Sequence, residues 1–466
     1  MSKKTVARIV PAVLLLTVIV ALLIFYAVTL TRDDDLGITE ENLAEWATVS
    51  GSAGSGLAFD DSKLTTWTVS EKGAEAVVAF DDFKEVNALL LNENGFNVTR
   101  FSVYYDDGED WQLCYRQNEM GINRLATFYT VKAKAIKLVI DDYKHGARIS
   151  DVKVYCLAPR ERQEKLRVTS YVTVGSVKDY DPETGMSGTI SKDVFDVVTD
   201  VQFIAFGRFT SDGGVDYEED AEECLGKLKE MIDGRDVKIR LTVFPPAGDA
   251  MADVFRYHMD EAVSSVVDMV LEQDVDGADF DWEYPWGKEE YALYSEYLVK
   301  LSDELHKHGK TLSIAISPWG LDFSDEAVKA IDQVQIMAYD LFDHNGDNNS
   351  YAGSCASTID YMLKQGFKAE QLNLGISYYG RPSDASGVWV DYNNPDYDKD
   401  EYIMVKDEIY FNSATTVRDK TVYCILRGLG GIMTFSQNED LPFDDPLSLT
   451  AQLGKARDAF SKEAAR

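Results

Sequence analysis

The sequence predicts an α/β protein: a (β/α)8 TIM barrel preceded by a β-sandwich and an N-terminal transmembrane helix. Three observations carry that prediction. The chain opens on a long uncharged apolar run. Residues 37–158 then read as short strands broken by turns, with no stretch of convincing helical length. From Leu166 onward, near-continuous apolar strands alternate with amphipathic stretches over about 295 residues.

The first element is "MSKKTVARIVPAVLLLTVIVALLIFYAVTLTRDDD". Lys3, Lys4 and Arg8 precede an uncharged run from Ile9 to Leu30. As a helix that run spans about 33 Å, enough to cross a bilayer. The basic flank before it and "DDD" after it place the N-terminus in the cytoplasm and the rest of the chain outside. Residues 1–35 are thus expected to be a cytoplasmic stub and single-pass cell-membrane anchor. Secretion after signal cleavage is the alternative. The run exceeds the roughly 7–15 residues of a signal peptide's apolar core, and no small-x-small site follows it.

Candidate strands of the sandwich are "AEAVVAF", "VNALLLN", "FSVYYDDGEDWQLCY", "ATFYTV", "AIKLVID" and "ISDVKVYCLA". The polar "APRERQEK" (Ala158–Lys165) reads as a linker. Candidate barrel strands follow at 168–172, 201–206, 238–243, 278–283, 312–317, 333–338, 372–377 and 430–435, in a domain expected to run over 166–462. Helical spacers include "EEDAEECLGKLKEMID", "MDEAVSSVVDMVLEQ" and "EEYALYSEYLVKLSDELHKHG". A doubly wound sheet is the runner-up, but no Gly-rich phosphate loop follows the first strand.

The formal charge is −34, with 80 acidic and 46 basic residues and no basic stripe, so a nucleic-acid partner is excluded. Such a surface suits a neutral partner such as a sugar. The five cysteines show no CxxC and no neighbouring histidine ligands, so neither a disulfide framework nor a metal site is expected. A single Cys114–Cys156 bridge stays open. No cofactor is expected.

The chemistry concentrates in "DGADFDWEYP" (Asp276–Pro285). In an extended strand alternate side chains share a face, so Asp279, Asp281 and Glu283 align and point into the barrel. Glu283 comes last, at the carboxyl end, where barrel enzymes place their chemistry. Carboxylates this close share a proton, so Glu283 is expected to carry a raised pKa and act as a general acid. Asp281, two residues deeper, is expected to exchange hydrogen bonds with Glu283 and Asp279. Asp276 is out of phase and is expected to support the strand's entry. A solvated turn does not fit the apolar Phe280 and Trp282 between the acids, and a metal site lacks further convergent ligands.

This segment resembles, position for position, the DxxDxDxE signature of family 18 glycoside hydrolases in its chitinase-like form. "QIMAYD", "LNLGISYYGRP" and "GLGGIMTF" are similar to the family's sixth-, seventh- and eighth-strand motifs, so the resemblance covers about residues 166–460. It implies retaining hydrolysis of β-1,4 bonds next to N-acetylglucosamine, with the substrate's own 2-acetamido oxygen attacking the anomeric carbon. By position, Glu283 protonates the leaving oxygen and then activates water. Asp281 orients the acetamido N–H, and Asp279 supports Asp281 by sharing its proton. Tyr339 bonds the acetamido oxygen, with Asp340 and Met337 lining the same subsite. Phe435, Tyr284, Trp319 and Tyr171 are further candidate substrate contacts, and Trp286 a candidate stacking surface. The implied partner is a polysaccharide or oligosaccharide containing N-acetylglucosamine.

Departures from the family pattern fall around the motif. The third strand usually carries SxGG; here Thr242, Phe244 and Pro245 stand in those places. The eighth-strand tryptophan is Phe435. Only about 45 residues separate "YYGRP" from "GLGGIM", so a shallower cleft without a large α+β insertion is expected. Two other activities stay open: an endo-β-N-acetylglucosaminidase acting on N-glycans, and a catalytically inactive chitin-binding lectin.

Residues 45–156 resemble a discoidin-type sandwich, the fold of family 32 carbohydrate-binding modules, through "AFDDSKLTTWTV", "FSVYYDDGEDWQLC" and "VKAKAIKLVI…ISDVKVY". The resemblance implies that Trp67 and Trp111 are core residues, and that the domain either binds sugar or spaces the barrel from the membrane. "NVT" at Asn97 is a glycosylation sequon, meaningful in a secretory eukaryotic host.

Overall fold

The computed structural model describes residues 36–463 apart from 249, 343–346, 348, 350, 352, 385 and 404. The expected membrane segment therefore lies outside the described residues. Among the described residues no helix is long and apolar enough to cross a membrane.

The front domain is antiparallel throughout, with one hydrophobic core of its own built on Trp67, Phe101, Tyr115, Leu138 and Ile149. Its seven strands join into one hydrogen-bonded sheet. Two strands of twenty residues, Ala74–Glu93 and Arg124–Tyr143, connect what the sequence divides in two. "AEAVVAF" and "VNALLLN" are one strand, as are "ATFYTV" and "AIKLVID". The polar stretches between them look like turns, yet they stay extended and absorb the mismatch as register shifts between Ala79 and Lys84 and between Val86 and Ala88. Trp67 is buried. Trp111 is only half-buried, its ring covered by the Lys137 ammonium 4.3 Å away, so it is a capped surface residue and not the core position expected. All five cysteines are free thiols, and the Cys114–Cys156 bridge is not formed.

The second domain is a closed eight-stranded parallel barrel. In chain order its strands are Arg167–Thr173, Asp200–Phe209, Lys238–Phe244, Gly277–Asp281, Thr311–Ile316, Gln333–Ile336, Leu372–Ser377 and Gly431–Phe435. Each pairs with the next, and the first pairs with the eighth, which closes the ring. The strands are almost wholly buried because helices cover their outer faces. The helix Gly287–Lys307 shows why: Tyr291, Tyr294, Leu298, Leu301 and Leu305 recur every three or four residues and are all buried. At its closed end the barrel is filled by polar side chains that satisfy one another. Arg240 pairs with Asp200 at 2.7 Å, and Asn373 Nδ2 donates to Gln335 Oε1 at 3.0 Å.

Between the seventh and eighth strands lies a small antiparallel patch made of Tyr379–Pro382, Val390–Asp391, Val405–Lys406 and Ile409–Tyr410. No helix forms between Ser383 and Ser413 among the described residues. The last helices, Ala414–Leu426 and Leu449–Phe460, complete the ring. The expected linker does not hang free. Arg160–Arg162 pairs in parallel with Ser461–Glu463, tying the two ends of the barrel domain together.

Candidate active site

The fourth strand carries the acids. Asp279 is fully buried and Asp281 is 7% exposed. The strand ends at Asp281, so Glu283 sits beyond it, in the bend at the mouth, where it is exposed. The sequence extends the strand through Glu283. The structure ends it earlier, because beyond Asp281 the chain turns into "EYPWG" and rises out of the sheet.

Asp279 is held from three sides by hydroxyls. Tyr171 donates at 3.0 Å, Thr242 donates at 2.9 Å, and Ser313 completes the set. Strand register explains the arrangement. Thr242 of the third strand and Ser313 of the fifth lie directly beside Asp279. Burial still raises the Asp279 pKa, with these hydrogen bonds opposing the shift. Asp281 is lifted well above the ordinary carboxylate range, first by burial and then by the charges of Glu283 and Asp279. Of Asp281 and Glu283, the first is buried and the second exposed. Asp281 also departs from the expected exchange of hydrogen bonds, since its Oδ1 is buried with no hydrogen-bond partner. Asp276 plays the supporting role expected of it, its Oδ2 accepting from the Ile239 N–H at 2.9 Å.

Above these acids opens a cavity of about 380 Å³. Asp281, Glu283, Tyr339, Asp340, Met337, Phe435, Tyr284, Trp319 and Tyr171 all line it, so of the ten candidate residues only Asp279 lies beneath it. Tyr284 shares a hydrogen bond with Glu283 and accepts one from Ser317 Oγ at 3.2 Å. The Trp319 ring leans on Tyr284 with centroids 4.9 Å apart. Trp286 is 85% exposed and does not line the cavity, so it is not brought to the site.

The sixth strand stops at Ile336, and Met337–Asp340 leave it along the cavity wall. Asp340 takes a left-handed conformation (φ 56°). It accepts from Tyr379 Oη at 2.9 Å and pairs with Arg381 at 3.1 Å. Gly375 makes room for this corner: a Cβ there would stand 3.0 Å from the Tyr339 ring and 2.1 Å from the Ile336 carbonyl oxygen. Phe435 packs against Tyr171 and Tyr339, with centroids 5.6 and 6.3 Å apart.

Several functional neighbours escape the sequence reading. Ser313, Tyr379 and Arg381 hold the acids, and Ile204 and Met433 line the cavity. Of these, Tyr379 and Arg381 stand inside the quoted "YYGRP". Phe244, flagged as a departure, lines the cavity, and the Arg208 guanidinium lies 5.4 Å from its ring. Among the described residues no cluster of His, Cys, Asp or Glu could hold a metal.

A barrel with acids stacked on its fourth strand and a cavity at its carboxyl end defines the class of protein. The model of glycosyl hydrolases family 18 matches residues 189–440, more than half of the chain, and the protein belongs to that family. Among curated proteins, it is similar to a chitinase of Autographa californica nuclear polyhedrosis virus, 25% identical over 47% of this chain and 54% of that one. It is 31% identical to probable chitinase 2 of Drosophila melanogaster over 26% of this chain and 28% of the relative. The chain thus spans about half or less of the length of these relatives. Among solved structures, a chitinase from Bacteroides thetaiotaomicron shares the fold with a TM-score of 0.53 and 17% identity, over 63% of this chain and 97% of that one. A mutant of Ostrinia furnacalis Group II chitinase catalytic domain 2, solved with (NAG)5, does so with a TM-score of 0.51 and 17% identity, over 64% and 96% of the two chains.

Proposed function

We propose that the barrel hydrolyses β-1,4 linkages next to N-acetylglucosamine in chitin or chitin-like glycans, with retention and with the substrate's acetamido group as nucleophile. The carrying observation is the convergence of Asp281, Glu283 and Tyr339 on one cavity above a buried Asp279. Glu283 gives its proton to the leaving oxygen while the acetamido oxygen closes onto the anomeric carbon, forming an oxazolinium ion. Water then adds to that carbon and returns a proton to Glu283. The unpartnered Asp281 Oδ1 is suited to accept the acetamido N–H, and Asp281, on passing its proton to Asp279, becomes a buried carboxylate that stabilises the cation. The Tyr339 hydroxyl donates to the acetamido oxygen, and the half-buried Phe435 ring offers a face to sugar C–H groups. The relatives' names and the (NAG)5 complex support this substrate class.

Phe244 favours a second reading, an endo-β-N-acetylglucosaminidase on N-glycans, because a ring now occupies a wall where the family pattern has glycine. We extend the proposal to the front domain as a discoidin-type module, and to residues 1–35 as an anchor holding both domains outside the cell, on the sequence features given above. The test is turnover of chitooligosaccharides and of high-mannose glycopeptides by the wild type beside Glu283→Gln. The variant is expected to lose roughly 10²–10⁴-fold in kcat. Equal turnover by the two would overturn the mechanism, and activity on glycopeptides alone would transfer the assignment to the second reading.

A further inference from the structure

Asp340 reaches the catalytic cavity in a conformation that its surroundings must hold. Its φ of 56° is left-handed, and a residue other than glycine keeps such a backbone only where its neighbours fix it from several sides. One short strand does the fixing. Tyr379 Oη donates to the Asp340 carboxylate at 2.9 Å, and Arg381 pairs with it at 3.1 Å. What holds that strand in turn lies outside the catalytic cavity.

Asn349 is buried behind it. Its Oδ1 accepts from Ser377 Oγ at 2.7 Å and from Asn412 Nδ2 at 3.0 Å. Its Nδ2 donates to the Tyr410 carbonyl at 3.3 Å and lies 3.5 Å from the Tyr379 carbonyl. Ser377 ends the seventh barrel strand, and Tyr410 is the ladder partner of Arg381. One side-chain amide therefore ties together the segments on either side of Tyr379–Pro382. Asn412 closes the set by donating to the Ser377 carbonyl at 2.9 Å. Asn349, Ser377 and Asn412 are all buried, where a lost hydrogen bond leaves its partner unsatisfied.

The front domain reaches this cluster by two routes. The guanidinium of its Arg124 stands 4.6 Å over the ring of Tyr351, two residues from Asn349. The second route runs through the helix Ala414–Leu426. Asp419 accepts from Tyr115 Oη, Arg124 Nη2, Thr127 N and Thr127 Oγ1 of the front domain, which fixes that turn of the helix. Lys420 comes next, and successive side chains on a helix point about 100° apart. Lys420 thus turns toward the cluster and donates to the Asn349 carbonyl and to Asn412 Oδ1, each at 2.9 Å. The domains close tightly here, with about 20 Å³ of space among Gln117, Arg124, Asn349 and Tyr351.

We propose that Asn349 is a positioning residue for Asp340, and that the front domain braces it through Arg124, Asp419 and Lys420. The proposal rests on the reaction proposed above for what Asp340 does in the cavity. The front domain's part is to fix one wall of the active site from behind. A wall displaced by about 1 Å can cost up to about 10²-fold in rate, so the brace acts on catalysis as well as on stability.

The test is a double-mutant cycle in the full chain: Asn349→Ala and Arg124→Gln, each alone and in an Asp340→Ala background. Alone, Asn349→Ala is expected to lower kcat/KM on chitohexaose about tenfold and Arg124→Gln about threefold, through kcat more than KM. With no Asp340 side chain left to place, each loss should shrink to within about 1.5-fold. Equal losses in both backgrounds would make these residues general supports of the fold and would overturn the proposal. Wild-type activity in Arg124→Gln would overturn the front domain's part. Amide hydrogen exchange supplies a readout independent of turnover, and it decides the matter should Asp340→Ala be inactive. A peptide spanning 378–382 is expected to exchange about fivefold or more faster in Asn349→Ala, with one spanning 312–316 unchanged. Ser377→Ala, a milder loss from the same cluster, carries both measurements should Asn349→Ala fail to fold. The two proposals fail separately. If the wild type cleaves no glycan yet exchange at 378–382 responds, the brace stands and the catalytic reading falls. If it cleaves chitooligosaccharides while exchange and the coupling to Asp340 are both unmoved, the reverse holds.

Discussion

Asp281 carries an electrostatic burden that the fold would be better without. Its carboxyl is buried, its Oδ1 is unpaired, and two further acids raise its pKa. A carboxyl whose folded pKa exceeds its unfolded value favours the fold below the unfolded pKa and loses that contribution as pH rises through the folded one. Asp281→Asn is therefore expected to remove a penalty that grows with pH. Its melting temperature should exceed wild type by roughly 2 °C or more at pH 8, with a smaller difference at pH 4, while activity is lost. A lower melting temperature at pH 8 would contradict this assignment. The three acids were legible from period-two alternation alone. The hydroxyls of Thr242 and Ser313 around Asp279 were not, since they reach it by lateral register between strands and nothing in the local sequence reveals that register. The depth of each acid was not legible for a related reason: alternation orders side chains along a strand but does not report that Asp281 is buried and Glu283 exposed.

The elements whose sequence departs from the family pattern are the ones that shape the cavity. Thr242 still donates to Asp279, so the third strand keeps its support of the acids. Phe244, two residues on, shares the cavity wall with Asp281, and Arg208 lies against its ring while donating to the Pro245 carbonyl at 2.6 Å. Phe244→Ala should widen the wall. The ratio of kcat/KM for chitohexaose over chitotriose is expected to rise by about threefold or more, because one ring's volume becomes available to sugar. An unchanged ratio would remove Phe244 from substrate selection. Barrel strands were readable to within a few residues because burial on both faces gives continuous apolar runs. The front strands were over-divided because exposed polar residues such as Asp81, Asp82, Lys84 and Lys132 imitate turns while the backbone stays extended.

At the scale of the whole molecule, the two domains form one unit. In the helix Ala414–Leu426 every residue from Ala414 to Ile425 is buried, including Arg418, Asp419 and Lys420, because the front domain covers the face that a barrel helix usually turns to water. No amphipathic pattern could announce this, and the sequence offered only a linker between independent parts. Asp419 is fully buried, accepts four hydrogen bonds from the front domain, and pairs with Arg124 at 3.1 Å. Asp419→Ala leaves Arg124 buried without its carboxylate, and is expected to cost about 3–5 kcal/mol in denaturant unfolding of the full chain. A loss below about 1 kcal/mol would mean that the domains are held elsewhere.

The central claim is that the acetamido group of the substrate replaces a protein nucleophile above Asp281 and Glu283, and its most direct test is the stereochemistry of the first product. Proton NMR of chitooligosaccharide hydrolysis, recorded before mutarotation, should show the new reducing end appearing as the β-anomer, with no such signal from Glu283→Gln. First appearance of the α-anomer would mean direct attack by water and would contradict the account.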